Sequence, residues 1–235
     1  MPRIDNLPDS SSAQRSNLNH QAIEDYLKTI YRLAEAESPV STSRIAAERD
    51  VKPASVTSMI QRLHRLNLVD YEKHYGVTLT PAGRAIALEV IRHHRLIELY
   101  LIEALGFTWD EVHEQADILE HVISEKLEER IAAALNHPTL DPHGDPIPTR
   151  DGSLAQRPLV PLVSLEPGDC ATLARIVDDS NSELLRYLAG QGLVPETVLT
   201  LKEIAPLDGP LTLDVAGREL VLGRMAAQAI LVERR

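Results

Sequence analysis

The sequence predicts a mainly α chain that closes with a small β domain, and three observations predict it. Apolar residues recur with a helical period through most of residues 20–136. Residues 137–163 are rich in proline, which suits neither helix nor central strand. Residues 164–235 break into short strand-like runs between Gly and Pro turns.

The chain has 235 residues, enough for two or three small domains with real cores. No apolar run approaches the roughly 20 residues needed to cross a bilayer, so no membrane partner is expected. The opening MPRIDNLPDSSSAQRS has no apolar segment of the signal-peptide kind and reads as a disordered polar lead-in over 1–17. One cysteine, Cys170, excludes an internal disulfide and fits a reducing, cytoplasmic setting. With no partner ligand beside it, it reads as a small core residue.

Net charge is −11, which alone argues against a nucleic-acid partner. The distribution reverses that reading. Residues 41–84 carry 7 basic and 4 acidic side chains, whereas residues 85–136 carry 4 and 11. An anion-seeking segment is therefore followed by a cation-seeking one.

Residues 20–36 predict an amphipathic helix with Ile23, Tyr26, Leu27, Ile30 and Leu33 on its apolar stripe. Ser41-Thr42 caps a short second helix, and Pro53 opens a third in which Val56, Ile60, Leu63 and Leu66 face inward. That is a helix-turn-helix. Ser55, Thr57, Ser58 and Gln61 are left outside, small and polar enough to approach a groove and bond base edges. Arg44, Lys52, Arg62 and Lys73, with Ser43, suit phosphates. LVDYEKHYGVTLT then reads as a hairpin, which completes a winged helix, and TPAGR caps the next long helix. Helix 81–105 is apolar on two sides, more than one neighbour needs, and fits a role in a homodimer.

Residues 110–136 read as one helix carrying His113, Asp117, Glu120 and His121. At about 100° per residue all four fall within a stripe roughly 100° wide. The stripe has no Lys or Arg. Its donors repel one another unless a cation sits among them. His94 and Glu98, four residues apart, add a second pair of potential ligands on one helix face.

With these parts placed, the chain resembles the DtxR family of metal-dependent transcriptional repressors. IEDYLKTIYRL is like that family's first helix. RHHRLIELYL and VHEQADILEHVISEKLEERI are similar to its ligand-bearing helices, and HPTLDPHGDPIP to the signature that follows its dimerisation helix. The tail from LEPGD to AILV resembles its SH3-like, FeoA-like third domain. The resemblance implies a winged helix-turn-helix over 18–84, a helical dimerisation and metal-binding domain over 85–148, a linker over 149–163 and the SH3-like β-barrel over 164–235. It implies a primary metal site at Asp25, Asp117, Glu120 and His121. It implies an ancillary site at His94, Glu98 and His113, completed from the third domain. Ile176 stands at one expected donor position there and cannot ligate; Asp179 is the preferred donor, with Asp178 and Glu183 as alternatives. Arg95 matches an anion-contacting arginine.

The family's iron-type members place sulfur ligands where Asp25 and Asp117 stand. Hard oxygen donors favour Mn²⁺ over Fe²⁺. Lys28 stands where members with two coupled manganese ions have a Glu, which favours two separated sites. The implied function is a Mn²⁺-activated regulator, a dimer on a pseudo-palindromic double-stranded operator. Iron responsiveness and metal-independent DNA binding are the competing readings. The chain shows no HExxH, P-loop or nucleophile elbow, so no catalysis is expected.

Overall fold

The computed structural model describes the chain from residue 10 onward, with side chains from residue 20. The chain divides into two compact units, Met1–Ile91 and Arg92–Arg235. Of the expected lead-in, residues 1–9 lie outside the described residues, and residues 10–17 belong to helix α1, Ser10–Ala34. Nothing in the sequence stops that helix at residue 20, since neither Gly nor Pro occurs between Ser10 and Ala34.

In the first unit α1 is followed by α2 (Thr42–Glu48) and α3 (Pro53–Arg65). Ser41 caps α2, its side chain accepting from the Arg44 N–H, and Pro53 opens α3 where no intrahelical donor is needed. Leu27, Ile30, Ile45, Val56, Ile60 and Leu63 are fully buried and hold the three helices together. Asn67 turns the chain through a positive φ of 56° into β1 (Val69–Glu72), which pairs antiparallel with β2 (Gly76–Leu79). Val40 exchanges two backbone hydrogen bonds of 2.9 Å with Val77, so the segment before α2 is stitched to the wing. Gly76 has to be glycine there. Its φ is 136°, and a Cβ would lie 2.9 Å from both Pro39 Cβ and the Val40 carbonyl oxygen.

Helix α4 (Pro81–Leu105) starts at a cap made by Thr80, whose hydroxyl accepts from the Gly83 N–H and donates to the Asn67 carbonyl. The division between the two units falls inside this helix. Gly83 packs so closely that a Cβ would sit 1.9 Å from the Leu68 carbonyl oxygen.

The second unit continues with α5 (Val112–Leu119) and α6 (Glu125–Ala134). The single helix expected over 110–136 is thus two. Ser124 adopts an extended conformation (ψ 150°) and caps α6 by accepting from the Leu127 N–H, with Glu125 and Glu128 in the first turn. A local serine cap outcompetes continuation of α5 through Val122 and Ile123, which have low helix propensity. A proline-rich segment then runs to β3 (Val160–Pro161).

The remaining strands are β4 (Cys170–Ile176), β5 (Val198–Ile204), β6 (Leu211–Val215), β7 (Arg218–Leu222) and β8 (Ile230–Arg234). They form a six-stranded antiparallel sheet in the order β3-β8-β4-β5-β6-β7. Helices α7 (Ser182–Gly190) and α8 (Arg224–Gln228) complete it. Leu173, Ile176, Leu185, Leu188, Leu201, Leu213 and Ile230 form its core, against which Trp109 packs. Cys170 is only half-buried, at the start of β4, so it is not the core residue expected. Among the described residues no helix is long and apolar enough to cross a membrane.

A Gly83→Ala substitution drives a methyl group into backbone, which no rotamer change relieves. It is expected to destabilise the first unit by about 2 kcal/mol or more, read from urea unfolding monitored by circular dichroism.

Candidate metal centre and nucleic-acid interface

Helix α4 presents His94 and Glu98 on one face, one turn apart, and both are buried. His94 is the hub of the second unit's polar network. Its Nε2 lies 2.9 Å from Glu98 Oε1 and 3.2 Å from His113 Nδ1 on α5. Its Nδ1 lies 2.6 Å from Glu120 Oε2 and 3.3 Å from Asp117 Oδ1. His113 also reaches Glu98 Oε1 at 3.3 Å and Asp117 Oδ2 at 3.6 Å. One donor atom from each of His94, His113 and Asp117 falls within 4.8 Å of the others. His94 therefore touches Asp117 and Glu120 of the expected primary set as well as Glu98 and His113 of the ancillary set. His121 lies in the turn after α5, half-buried, with Nε2 3.5 Å from Glu120 Oε1.

A second cluster was not foreseen as ligands from the sequence: Glu98, Asp141 and His143, all buried, with one donor atom each within 4.8 Å of one another. His143 donates its backbone N–H to Asp141 Oδ1 at 2.8 Å, and Asp145 does the same at 2.9 Å. The aspartate thereby folds the loop around itself. His143 Nε2 contacts the Trp109 carbonyl at 3.1 Å, which aims Nδ1 at Glu98 Oε2, 3.8 Å away. That separation is too long for a hydrogen bond. Glu98 Oε2, His143 Nδ1 and Asp141 Oδ2 are all buried without a hydrogen-bond partner. Buried orphans are costly, and two carboxylates with an imidazole suit a divalent cation of the Mn²⁺ or Fe²⁺ kind. The residues fit a metal. The sequence signal was present in Asp141-Pro142-His143, an aspartate and a histidine two apart beside a glycine turn.

The loop that carries these groups is fixed to the sheet. Ile176 donates its N–H to the His143 carbonyl at 2.9 Å. At Gly144, φ is 89° and a Cβ would lie 1.9 Å from the Ala174 carbonyl oxygen. Asp145 Oδ1 bridges two guanidinium groups, Arg95 at 2.8 Å and Arg175 at 2.7 Å. Arg95 thus meets an anion supplied by its own chain. Asp179 is buried, whereas Asp178 is exposed and accepts from the Ser180 hydroxyl at 3.0 Å. Ile176 is in the sheet core.

Electrostatics follow from this crowding. Burial and the neighbouring charges of Asp145 and Glu98 push the Asp141 carboxyl up to about 8. Burial acts to lower His143, but Glu98, Asp141 and Asp179 outweigh it and raise the imidazole to about 9. Burial likewise acts to raise Glu98, and the histidines His94, His113 and His143 around it hold it well below the usual carboxylate range.

In the first unit Asp25 lies on α1, where its Oδ2 accepts from Arg49 at 2.9 Å. Of the residues expected to meet DNA, Lys52, Ser55, Ser58, Gln61 and Lys73 are exposed, and Arg44, Thr57 and Arg62 are half-buried. Arg44 pairs with Glu37 at 2.8 Å, and the Thr57 hydroxyl donates to the Pro53 carbonyl. Ala54, Ser55, Ser58, Met59, Arg62 and Arg65 line a surface depression of about 540 Å³ along α3. Arg65, two turns after Ser58 on the same helix face, was missed in the sequence.

An exposed polar helix-turn-helix with a wing, on a chain that also buries a cluster of metal-binding donors, defines a metal-responsive DNA-binding protein. Residues 20–77 match the iron-dependent repressor N-terminal DNA-binding domain, residues 80–149 the iron-dependent repressor metal-binding and dimerisation domain, and residues 160–234 the FeoA domain. The chain is 33% identical over 222 residues to the iron-dependent repressor IdeR of Mycobacterium leprae (strain TN), covering 90% of this chain and 96% of that one. It is similar to a solved manganese-dependent transcriptional repressor in complex with manganese, with TM-score 0.83 and 38% identity over 91% of this chain and 100% of that one. It is also similar to ScaR with bound Zn²⁺, with TM-score 0.76 and 33% identity over 91% and 99%. The chain belongs to the DtxR family of metal-dependent transcriptional repressors.

The pH behaviour has a definite sign. His143, raised from 6.5 to about 9, contributes stability that is full below about 6.5 and is lost as pH rises through about 9. Asp141, raised from 3.8 to about 8, favours its neutral form in the fold, so its contribution also falls as pH rises through about 8. Without added metal, the melting temperature is expected to drop between pH 6.5 and 9. With saturating Mn²⁺ it is expected to drop less, because a cation replaces the protons those groups lose. Thermal unfolding across that range, with and without Mn²⁺, checks both signs.

Proposed function

We propose that this chain is a Mn²⁺-activated repressor that binds a pseudo-palindromic operator as a homodimer. Asp25, Asp117, Glu120 and His121 would hold one cation, and Glu98, Asp141 and His143 with Asp179 a second, with His94 and His113 beside both. The observation that carries this reading is the convergence of three buried donor atoms from Glu98, Asp141 and His143 that make no hydrogen bond. The donors are oxygen and imidazole nitrogen with no sulfur, a set that suits manganese. The family relatives include both iron- and manganese-dependent repressors.

What a cation supplies here is positive charge. Asp25 is on the same compact unit as the helix-turn-helix, and Asp117, Glu120 and His121 are on the other. The three carboxylates repel one another in any arrangement that brings them together, and neutralising them favours such an arrangement. A preference of roughly 3–5 kcal/mol shifts operator affinity by two to four decades. Ser55, Thr57, Ser58 and Gln61 would read base edges, and Arg44, Lys52, Arg62 and Lys73 would meet phosphates. Ile118, Val122 and Leu127 are exposed apolar side chains around the α5–α6 turn and suit a second copy. In a dimer, two copies of α3 would enter major grooves about 34 Å apart.

Operator binding titrated with Mn²⁺ tests this. Wild type is expected to gain at least about a hundredfold in affinity, and Asp117→Ala to lose most of that gain while keeping its metal-free affinity. Equal affinity of wild type with and without Mn²⁺ would overturn the proposal. An Arg62→Ala variant is expected to weaken binding to operator and unrelated DNA alike and to lower the salt slope by about one.

A further inference from the structure

Arg49 stands at the C-cap of α2, where its backbone N–H bonds to the Ile45 carbonyl and the next N–H, of Asp50, to the Ala47 carbonyl, so its Cα is fixed. Three side chains on one and a half turns of α1 receive its guanidinium. Nη2 donates to Asp25 Oδ2 at 2.9 Å, Nη1 donates to Thr29 Oγ1 at 3.3 Å, and the group stacks over the Tyr26 ring, 4.9 Å from its centroid. Asp25 and Thr29 are four residues apart and share a helix face, which makes the pair a ready fork for the planar donor. The arginine is part-buried, and its Nε is buried with no hydrogen-bond partner. A guanidinium cannot lose its proton, so this charge is permanent.

We infer that Arg49 sets the metal threshold of Asp25: the carboxylate already shares its charge with a fixed guanidinium, so a divalent cation binds there against that charge. The inference rests on the reading of Asp25 as a metal ligand. A cation that uses Asp25 either shares the carboxylate with Arg49 and meets a like charge nearby, or displaces Arg49 and strands a guanidinium whose Nε already lacks a hydrogen-bond partner. Either route weakens binding relative to an uncommitted carboxylate. Tyr26 and Thr29 keep the arginine in place whether or not the carboxylate is shared, so the penalty does not relax away.

The test is Mn²⁺ affinity of the full chain by electron paramagnetic resonance, with thermal stability recorded for each variant. Arg49→Leu removes the charge and keeps comparable bulk. It is expected to tighten the Asp25-dependent Mn²⁺ site about three- to tenfold, the range of a part-exposed ion pair. The Mn²⁺ midpoint for operator binding should fall by the same factor. Arg49→Gln, which keeps a donor for Asp25 without the charge, is expected to do the same and covers the case in which Arg49→Leu fails to fold. Arg49→Lys keeps the charge and is expected to stay within about twofold of wild type. Unchanged or weaker Mn²⁺ binding in folded Arg49→Leu or Arg49→Gln overturns the inference. Asp25→Asn separates it from its premise. If that variant binds Mn²⁺ as wild type does, Asp25 is not a ligand and the premise falls. If it loses a site but the Arg49 variants do not tighten theirs, only the role of Arg49 falls.

Discussion

Glu98 is the constraint around which the second unit is built. A carboxylate with no solvent contact has to be surrounded by positive charge or partial charge, and three histidines converge on it from different parts of the chain. His94 comes from one turn earlier on α4, His113 from α5, and His143 from the loop that docks on the sheet. Helix, helix and loop are therefore placed by one charge. Asp141 and Asp145 add two more carboxyl groups beside it: Arg95 and Arg175 answer Asp145, whereas burial and the charges of Asp145 and Glu98 favour the neutral form of Asp141. Buried carboxyl oxygens and an imidazole nitrogen that make no hydrogen bond are groups a divalent cation could satisfy.

The first unit follows a different logic. Its stability comes from a compact apolar core under three helices and a wing, and its polar surface is on α3. Arg49 is the exception, a charge drawn inward to Asp25. That pairing connects the Asp25 carboxylate on α1 to the capping residue of the first helix of the helix-turn-helix. The same residue thus belongs to the helix-turn-helix and to the surroundings of Asp25.

Much of this was legible in the sequence. Ser41, Pro53 and Thr80 announced the helix starts of the first unit because caps are local signals. The five longer strands of the sheet were visible because Gly and Pro punctuate them. The break between α5 and α6 was not visible in the apolar and acidic pattern, which continues across it; only Ser124 marks it, and a serine inside an acidic stretch is ambiguous. Asp141 and His143 escaped because the proline-rich segment read as a connector. Their convergence on Glu98 depends on a loop closing on itself and pressing on β4, which no periodicity encodes. The pairing of Arg49 with Asp25 spans two helices and was equally invisible. Asp179 was preferred over Asp178 by alignment alone, and the structure buries the first and exposes the second.

The close approach of Gly144 to the Ala174 carbonyl has a wider implication. Together with the double guanidinium clasp on Asp145 and the indole of Trp109 resting on the sheet core, it makes the β segment part of the wall of the pocket around Glu98 rather than an appendage. A chain cut short after residue 149 would open that wall to water. The imidazole of His143 would lose its enclosure, and an apolar indole face would be bared. In this protein the terminal third of the sequence is what keeps the acid cluster dry, and relatives lacking such a segment would have to solve that desolvation problem by another route.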